Sequence, residues 1–289
     1  MYIDTHAHLW WPSLAQNLAG ILERAREAGV ENIIMPGTNL ETSHAAAGIA
    51  RQYPDFLYAA VGIHPEDIEI TSQQDNISTD EHPNRSAAWE NLQFRIQNLE
   101  KLIQENRDVV VAIGEIGTDT HAEQKSQIPS TKSQTDQQSV PMKMQQAYFR
   151  AQCELALELD LPIIVHTRES LGETLAVLDT LPQMPRGQFH CFSYDEAGLQ
   201  EILKRGFFVS LCGNVSWSKR LRKLSAQIPL ARLLLETDSP FMTPLEKKPA
   251  ENESAYVTIA AQILAEEREI PLAELAQVTS ENARQLFRL

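Results

Sequence analysis

The chain opens Met-Tyr-Ile-Asp-Thr-His-Ala-His, placing two histidines two residues apart at the end of a short strand-like run. In an extended chain, side chains at i and i+2 leave the same face. His6 and His8 therefore project together, with Asp4 on their face and Ile3, Thr5 and Ala7 on the other. Two imidazoles from one strand are a natural offer to a borderline divalent metal. Similar endings recur along the chain. His64 closes Leu-Tyr-Ala-Ala-Val-Gly-Ile, and Glu115 follows Val-Val-Val-Ala-Ile-Gly. His166 and Arg168 follow Pro-Ile-Ile-Val, His190 follows Gln-Phe, and Asp238 follows Leu-Leu-Leu-Glu-Thr. Crowding so many ionisable groups into one place is costly unless a cation balances the carboxylates, so the set reads as a metal centre. Four imidazoles (His6, His8, His166, His190) and two carboxylates (Glu115, Asp238) exceed the needs of one tetrahedral ion. Two ions bridged by Glu115 would use them all, with a metal-activated water as nucleophile. Asp238 is placed to orient that water and take its proton. Asp4 and Glu236, one step deeper, are expected to fix histidine tautomers. Arg168 extends past His166 and can hold an anionic oxygen, and His64 and Arg168 are the candidate contacts to a substrate phosphate or carboxylate.

The elements that must position these residues follow from periodicity. Apolar spacing predicts helices at 13–28, 40–53, 88–104, 142–159, 171–181, 196–204, 218–226, 255–267 and 272–286. Apolar runs predict strands at the chain start and at 32–36, 56–64, 108–117, 162–166, 188–192, 207–211 and 232–237. Eight strands, each followed by a helix, are the sequence form of an α/β (β/α)₈ TIM barrel spanning 1–289 as one domain. In that fold the carboxyl ends of the strands form the site, where the polar residues above fall. Strict alternation groups Val111 and Ile113 with Glu115, Ile164 with His166, and Leu234 and Glu236 with Asp238, all facing inward. The polar stretches 71–86 and 122–140 are expected to be flexible loops within the barrel. No Gly-rich dinucleotide loop follows the first strand, which counts against an open doubly wound sheet.

Composition narrows the function classes. No apolar run is long enough to span a bilayer, and the start lacks the basic and apolar regions of a secretory leader. Cys153, Cys191 and Cys212 are odd in number and lack a C-x-x-C pair, which suits reduced thiols in a cytoplasmic protein. A formal net charge of −14 disfavours tight non-specific binding to DNA. Chemistry on phosphates would need bound cations and a few Arg or Lys to reverse the sign locally. No feature calls for a membrane or a stable protein partner.

The segments Ile3-Asp-Thr-His-Ala-His-Leu9, Gly62-Ile-His-Pro65, Ala112-Ile-Gly-Glu-Ile-Gly117, Pro162-Ile-Ile-Val-His-Thr-Arg-Glu169, Phe189-His-Cys-Phe-Ser193, Leu234-Leu-Glu-Thr-Asp-Ser-Pro240 and Glu281-Asn-Ala-Arg-Gln-Leu-Phe287 together resemble the TatD-type metal-dependent hydrolases of the amidohydrolase-like superfamily. The resemblance covers nearly the whole chain. It implies a (β/α)₈ barrel with one or two divalent ions (Zn, Mg or Mn), His6, His8, Glu115 and Asp238 serving one and Glu115, His166 and His190 the other. It also implies a deoxyribonuclease-type phosphodiesterase, with single-stranded DNA as a transient partner. Other activities that the likeness allows are hydrolysis of different ester or amide bonds, including deacylation of mischarged transfer RNA. Glu115 stands where many amidohydrolase-type barrels carry a modified Lys, which favours the phosphodiesterase branch. Three stretches depart from the family pattern. Gly117-Thr-Asp-Thr-His121 lacks the usual aromatic, Tyr194 replaces a Gly, and 247–254 lacks the two arginines and the Gly of a basic run. A metal-stabilised binding protein with little turnover is the non-enzymatic alternative, separable by a substrate panel.

Overall fold

The computed structural model describes residues 1–69, 87–120 and 140–289. Its strands are β1 (Tyr2–Asp4), β2 (Val30–Pro36), β3 (Leu57–Val61), β4 (Val110–Asp119), β5 (Ile163–Arg168), β6 (Gly187–Phe189), β7 (Phe208–Leu211) and β8 (Leu233–Leu235). They pair in parallel in the order β1 to β8. The ends of that order meet: Thr5 N–H donates to Leu235 O (3.1 Å), Asp238 N–H to His6 O (2.8 Å) and His8 N–H to Ser239 O (2.8 Å). The result is the eight-stranded barrel that the sequence predicts.

Around it run α1 (Pro12–Ala15), α2 (Leu18–Glu27), α3 (Leu40–Ala50), α4 (Ala87–Glu105), α5 (Met142–Glu158), α6 (Leu171–Leu178), α7 (Glu196–Lys204), α8 (Lys219–Ser225), α9 (Val257–Glu267) and α10 (Leu272–Phe287). The helix expected at 13–28 is two pieces, broken at Gln16 and Asn17, where Asn17 leaves helical geometry at φ −127°. Elsewhere the local signals hold. Asn39 opens α3 by accepting from Thr42 N–H (2.9 Å) while Thr42 Oγ1 accepts from Asn39 N–H (3.0 Å), so each satisfies an orphan donor of the other.

Outward-facing strand residues such as Ile33, Met35, Val165, Phe189 and Leu235 pack under the helices. Inside, Ile3, Ile34, Ala60, Ala112, Ile164, Phe208 and Leu234 form one apolar layer, and Ala283, Leu286 and Phe287 of α10 pack against it. Gln188 takes the β6 position of that layer, in register with Ile164 and Phe208. Above it the interior turns polar, and there the site lies.

Two strands reach that level by breaking alternation. On β4, Ala112 faces inward while Ile113 packs in the outer layer, opposite to the expected grouping of Ile113 with Glu115. The β4–β5 ladder slips between Ile113 and Ile116, and this irregularity returns Glu115 to the interior. On β1, Ile3 faces inward and Ala7 outward, so the expected common face from Asp4 to His8 is interrupted. The strand ends at Asp4, and the irregular stretch after it brings the imidazoles inward. The loops expected at 71–86 and 122–140 lie outside the described residues apart from Val140, which is buried against a cluster containing Ile63 and Met144. No described helix is long and apolar enough to cross a membrane.

Candidate metal centre

His6, His8, His64, Glu115, His166, His190 and Asp238 converge at the carboxyl-end mouth of the barrel, although they come from six strand ends. His6 Nε2 and His8 Nε2 lie 3.2 Å apart. Glu115 Oε2 is 3.3 Å from the first and 3.6 Å from the second, and Asp238 Oδ1 is 3.6 Å from each. Ligand atoms at the corners of a tetrahedron with bonds of ~2.0–2.2 Å stand about 3.3–3.6 Å apart, so His6, His8 and Asp238 match three corners of such a cradle and Glu115 Oε2 keeps the same spacing from the two imidazoles. The other oxygen of the same carboxylate faces a second group. Glu115 Oε1 is 2.8 Å from both His166 Nδ1 and His190 Nε2, and those nitrogens are 3.2 Å apart. The side chains are almost wholly enclosed, Glu115 at 4 % exposure and His6 at 0 %.

Neighbouring groups fix the rings. His8 Nδ1 lies 3.2 Å from Pro36 O, and the tautomer that donates to this carbonyl leaves the Nε2 lone pair facing the cradle. His166 Nε2 is 2.8 Å from Asp119 Oδ2, which turns Nδ1 toward Glu115. His64 has the reverse polarity. Its Nδ1 accepts from Glu66 N–H (3.2 Å), so the neutral ring carries its proton on Nε2, 3.5 Å from Glu115 Oε1. His64 thus presents a donor where His8 and His166 present lone pairs.

Charge is balanced locally. Burial alone would push the Glu115 carboxyl up, but the imidazoles of His190, His6 and His64 outweigh it and hold it well below the usual carboxylate range. Asp238 is likewise lowered, burial being overcome by its hydrogen bond with His8 and the charges of His6 and His190. Burial, reinforced by His166, drives His64 down to about 3, so it is neutral near pH 7.

The remaining expected residues divide. Glu236 lies beneath His190, its Oε1 3.7 Å from His190 Nδ1 and anchored by Cys191 N–H (2.6 Å), with Oε2 accepting from Ser210 Oγ (2.6 Å). Asp4 does not orient an imidazole. Its carboxylate accepts from Thr237 N–H (2.9 Å), Thr237 Oγ1 (2.7 Å) and the His6 backbone N–H (3.3 Å), fastening β1 to the turn after β8. Arg168 lines the mouth, yet its Nε is 3.2 Å from Asp119 Oδ2 and its Nη2 3.7 Å from Glu66 Oε1. Asp119 is the residue that sequence reasoning missed. It pairs in register with Arg168 at the end of β4, a placement that its position two residues past Gly117 did not by itself announce.

The mouth is a cavity of about 810 Å³ whose rim includes Trp10, Trp11, Trp217, Phe241 and Met242. The end of the run 247–254 turns away from it, Glu253 pairing with Arg24 on α2 and Glu251 accepting from Ser13 Oγ (2.6 Å), while Lys248 Nζ stays at the rim, 4.5 Å over the Trp217 ring.

The sequence profile of the family described as TatD related DNase matches residues 3–288. This chain belongs to that family. Among TatD relatives, the metal-dependent hydrolase YabD of Bacillus subtilis is 33 % identical over 292 residues, covering 100 % of both chains. The 3′-5′ ssDNA/RNA exonuclease TatD of Edwardsiella piscicida is 34 % identical over 295 residues, covering 99 % of each. The crystal structure of the TatD homologue YJJV from Escherichia coli superposes with a TM-score of 0.79 at 28 % identity, covering 100 % of this chain and 98 % of that one. As a TatD-family member the chain is a metal-dependent hydrolase. The two donor groups on either side of Glu115 fit divalent cations by type, mixed imidazole and carboxylate ligands suiting Zn, Mn or Mg-like ions, while the His166 and His190 side, at 2.8 Å from Glu115 Oε1, is drawn together by hydrogen bonding more closely than ligands around an ion.

Proposed function

We propose that this chain is a divalent-metal-dependent phosphodiesterase that trims single-stranded nucleic acid from its 3′ end. The observation that carries the reading is the split carboxylate of Glu115, one oxygen toward His6 and His8 and the other toward His166 and His190. In this reading His6, His8, Glu115 and Asp238 hold one cation and Glu115, His166 and His190 a second, Zn, Mg or Mn. Cations in such a pair supply Lewis acidity and acidify a bound water. Asp238, kept ionised by His8, would receive the proton as water attacks phosphorus; the P–O bond to the preceding nucleotide's 3′ oxygen breaks, and that oxygen leaves as a hydroxyl with a proton returned from Asp238 or solvent water. His64 Nε2–H donates toward a phosphate oxygen, and Arg168, partly exposed at the mouth, holds another. Relatives named as 3′-5′ ssDNA/RNA exonucleases support the substrate class and polarity. The three free thiols, with Cys191 and Cys212 unlinked although their sulfurs lie 3.5 Å apart, support a reducing, cytoplasmic setting.

Protein stripped of metal and reloaded with Mg²⁺, Mn²⁺ or Zn²⁺ is expected to shorten 5′-labelled single-stranded DNA from the 3′ end. Asp238→Asn should abolish this; activity untouched by the substitution would belong to a contaminant. A second reading, hydrolysis of another ester or amide bond, is favoured by the sparse positive charge of the mouth. A panel of phosphodiesters, carboxylic esters and amides assayed on one preparation separates the two.

A further inference from the structure

One side of the mouth is aromatic. Trp11 and Phe241 are 37 % and 44 % exposed, and their rings meet edge to face at 5.1 Å and 76°, which leaves at least one face of each uncovered by the other. Large exposed rings beside polar groups mark a binding surface. Both residues are built onto the candidate metal centre. Trp11 follows His8 by three positions and its N–H donates to His8 O (2.8 Å); Phe241 follows Asp238 by three and its N–H donates to Asp238 O (2.8 Å). Trp10 stands edge-on to the His8 ring at 5.4 Å, and its Nε1–H donates to Pro36 O, the carbonyl that also faces His8 Nδ1. Asn252 Nδ2 donates to Phe241 O (2.5 Å), fixing the loop from behind. The platform is therefore rigid relative to the cradle, one ring beyond His8. Trp217, at the same mouth, is already engaged by Lys248 Nζ, 4.5 Å over its ring.

We infer that the Trp11–Phe241 pair receives the nucleobase adjoining the scissile phosphate, face to face on one ring and against the edge of the other, so that the chain selects an unpaired end by its aromatic face. This rests on the phosphodiesterase reading above. Every base has a π-face, and stacking on protein rings is tolerant of sequence, but in a duplex those faces cover one another. A phosphate held between His64, Arg168 and the cradle would place its own base one sugar away, within reach of the ring pair. Stacking would supply the hold that several phosphate-binding cations supply elsewhere, which suits a mouth whose described lining has Arg168 as its one Lys or Arg.

The test compares a 3′-terminal nucleotide with the same end made abasic. Wild type should prefer the intact end by about tenfold in kcat/KM. In Trp11→Ala and Phe241→Ala that ratio should fall toward one, while Trp11→Phe keeps most of it. Using the ratio within each protein removes any general loss of folding or metal. As an independent readout, 2-aminopurine at the 3′ end should be quenched on binding to Asp238→Asn and far less to the Asp238→Asn/Trp11→Ala double variant. Equal ratios in wild type and both alanine variants, or a wild-type ratio near one, overturn the stacking platform and leave the nuclease reading intact. Failure of metal-loaded wild type to cleave either substrate overturns both.

Discussion

At the scale of single residues, the site depends on groups that hold the candidate ligands in place. His166 can present Nδ1 beside Glu115 only while something holds Nε2, and Asp119 does so at 2.8 Å from full burial. Partners of this kind typically change metal affinity or activity by about 10–100-fold when removed. Asp119→Asn should therefore raise the metal concentration giving half-maximal activity by about that factor, with kcat recovering at saturating metal. Titrating metal against oligonucleotide cleavage checks this; an unchanged requirement would leave Asp119 as a partner of Arg168 alone. The candidate ligands were legible in the sequence because their chemistry is rare at strand ends. Asp119 was not, because an Asp beyond a Gly in a polar stretch resembles any turn residue. Asp4 misled for the opposite reason: the i, i+2 pattern that pairs His6 with His8 gives no warning that the strand ends between them and Asp4.

At the scale of elements, strand order and the eightfold alternation were readable because continuous apolar runs and helical periodicity are local signals. The direction of Glu115 was not, since alternation assumes a regular ladder and β4 slips between Ile113 and Ile116. Tight packing there admits little variation. Gly117 lies at φ +152°, and a Cβ on it would stand 1.8 Å from His166 O. Gly117→Ala must push β5 away or unfold the edge, at a cost of about 3 kcal/mol or more. Thermal unfolding should show the loss, and metal affinity should fall with it because His166 rides on β5. The helical layer offers a milder contrast. Asp179 after α6 accepts from Arg205 after α7, with Nε–Oδ1 2.7 Å and Nη2–Oδ2 2.6 Å. That hydrogen bonding lowers the Asp179 pKa. A carboxyl depressed in the folded state adds stability above its unfolded pKa, lost as pH falls through the folded one. Asp179→Asn should thus lower stability at pH 7 by no more than about 1 kcal/mol, the pair being exposed. The difference from wild type should shrink as pH falls through the ordinary carboxylate range and vanish once the lowered folded-state pKa is passed, as paired melting curves would reveal.

At the scale of the whole molecule, the balance of charge makes this an unusual host for a polyanion. The chain carries a formal −14. At the mouth, Arg168 is itself shared with Asp119 and Glu66. A protein that holds single strands through many phosphates releases counterions, and log affinity falls with log salt by ~0.7 per phosphate neutralised. With one guanidinium available and an acidic surface whose repulsion salt screens, the two effects oppose each other. The slope of log(1/KM) against log[KCl] for a single-stranded oligonucleotide, at saturating free metal between about 50 and 200 mM salt, should therefore lie no steeper than about −0.7. A slope of about −2 or steeper would mean that three or more phosphates are neutralised, which the described mouth cannot supply. The substrate would then have to be gripped by basic residues elsewhere on the chain, and the aromatic rim would lose its part in holding the strand.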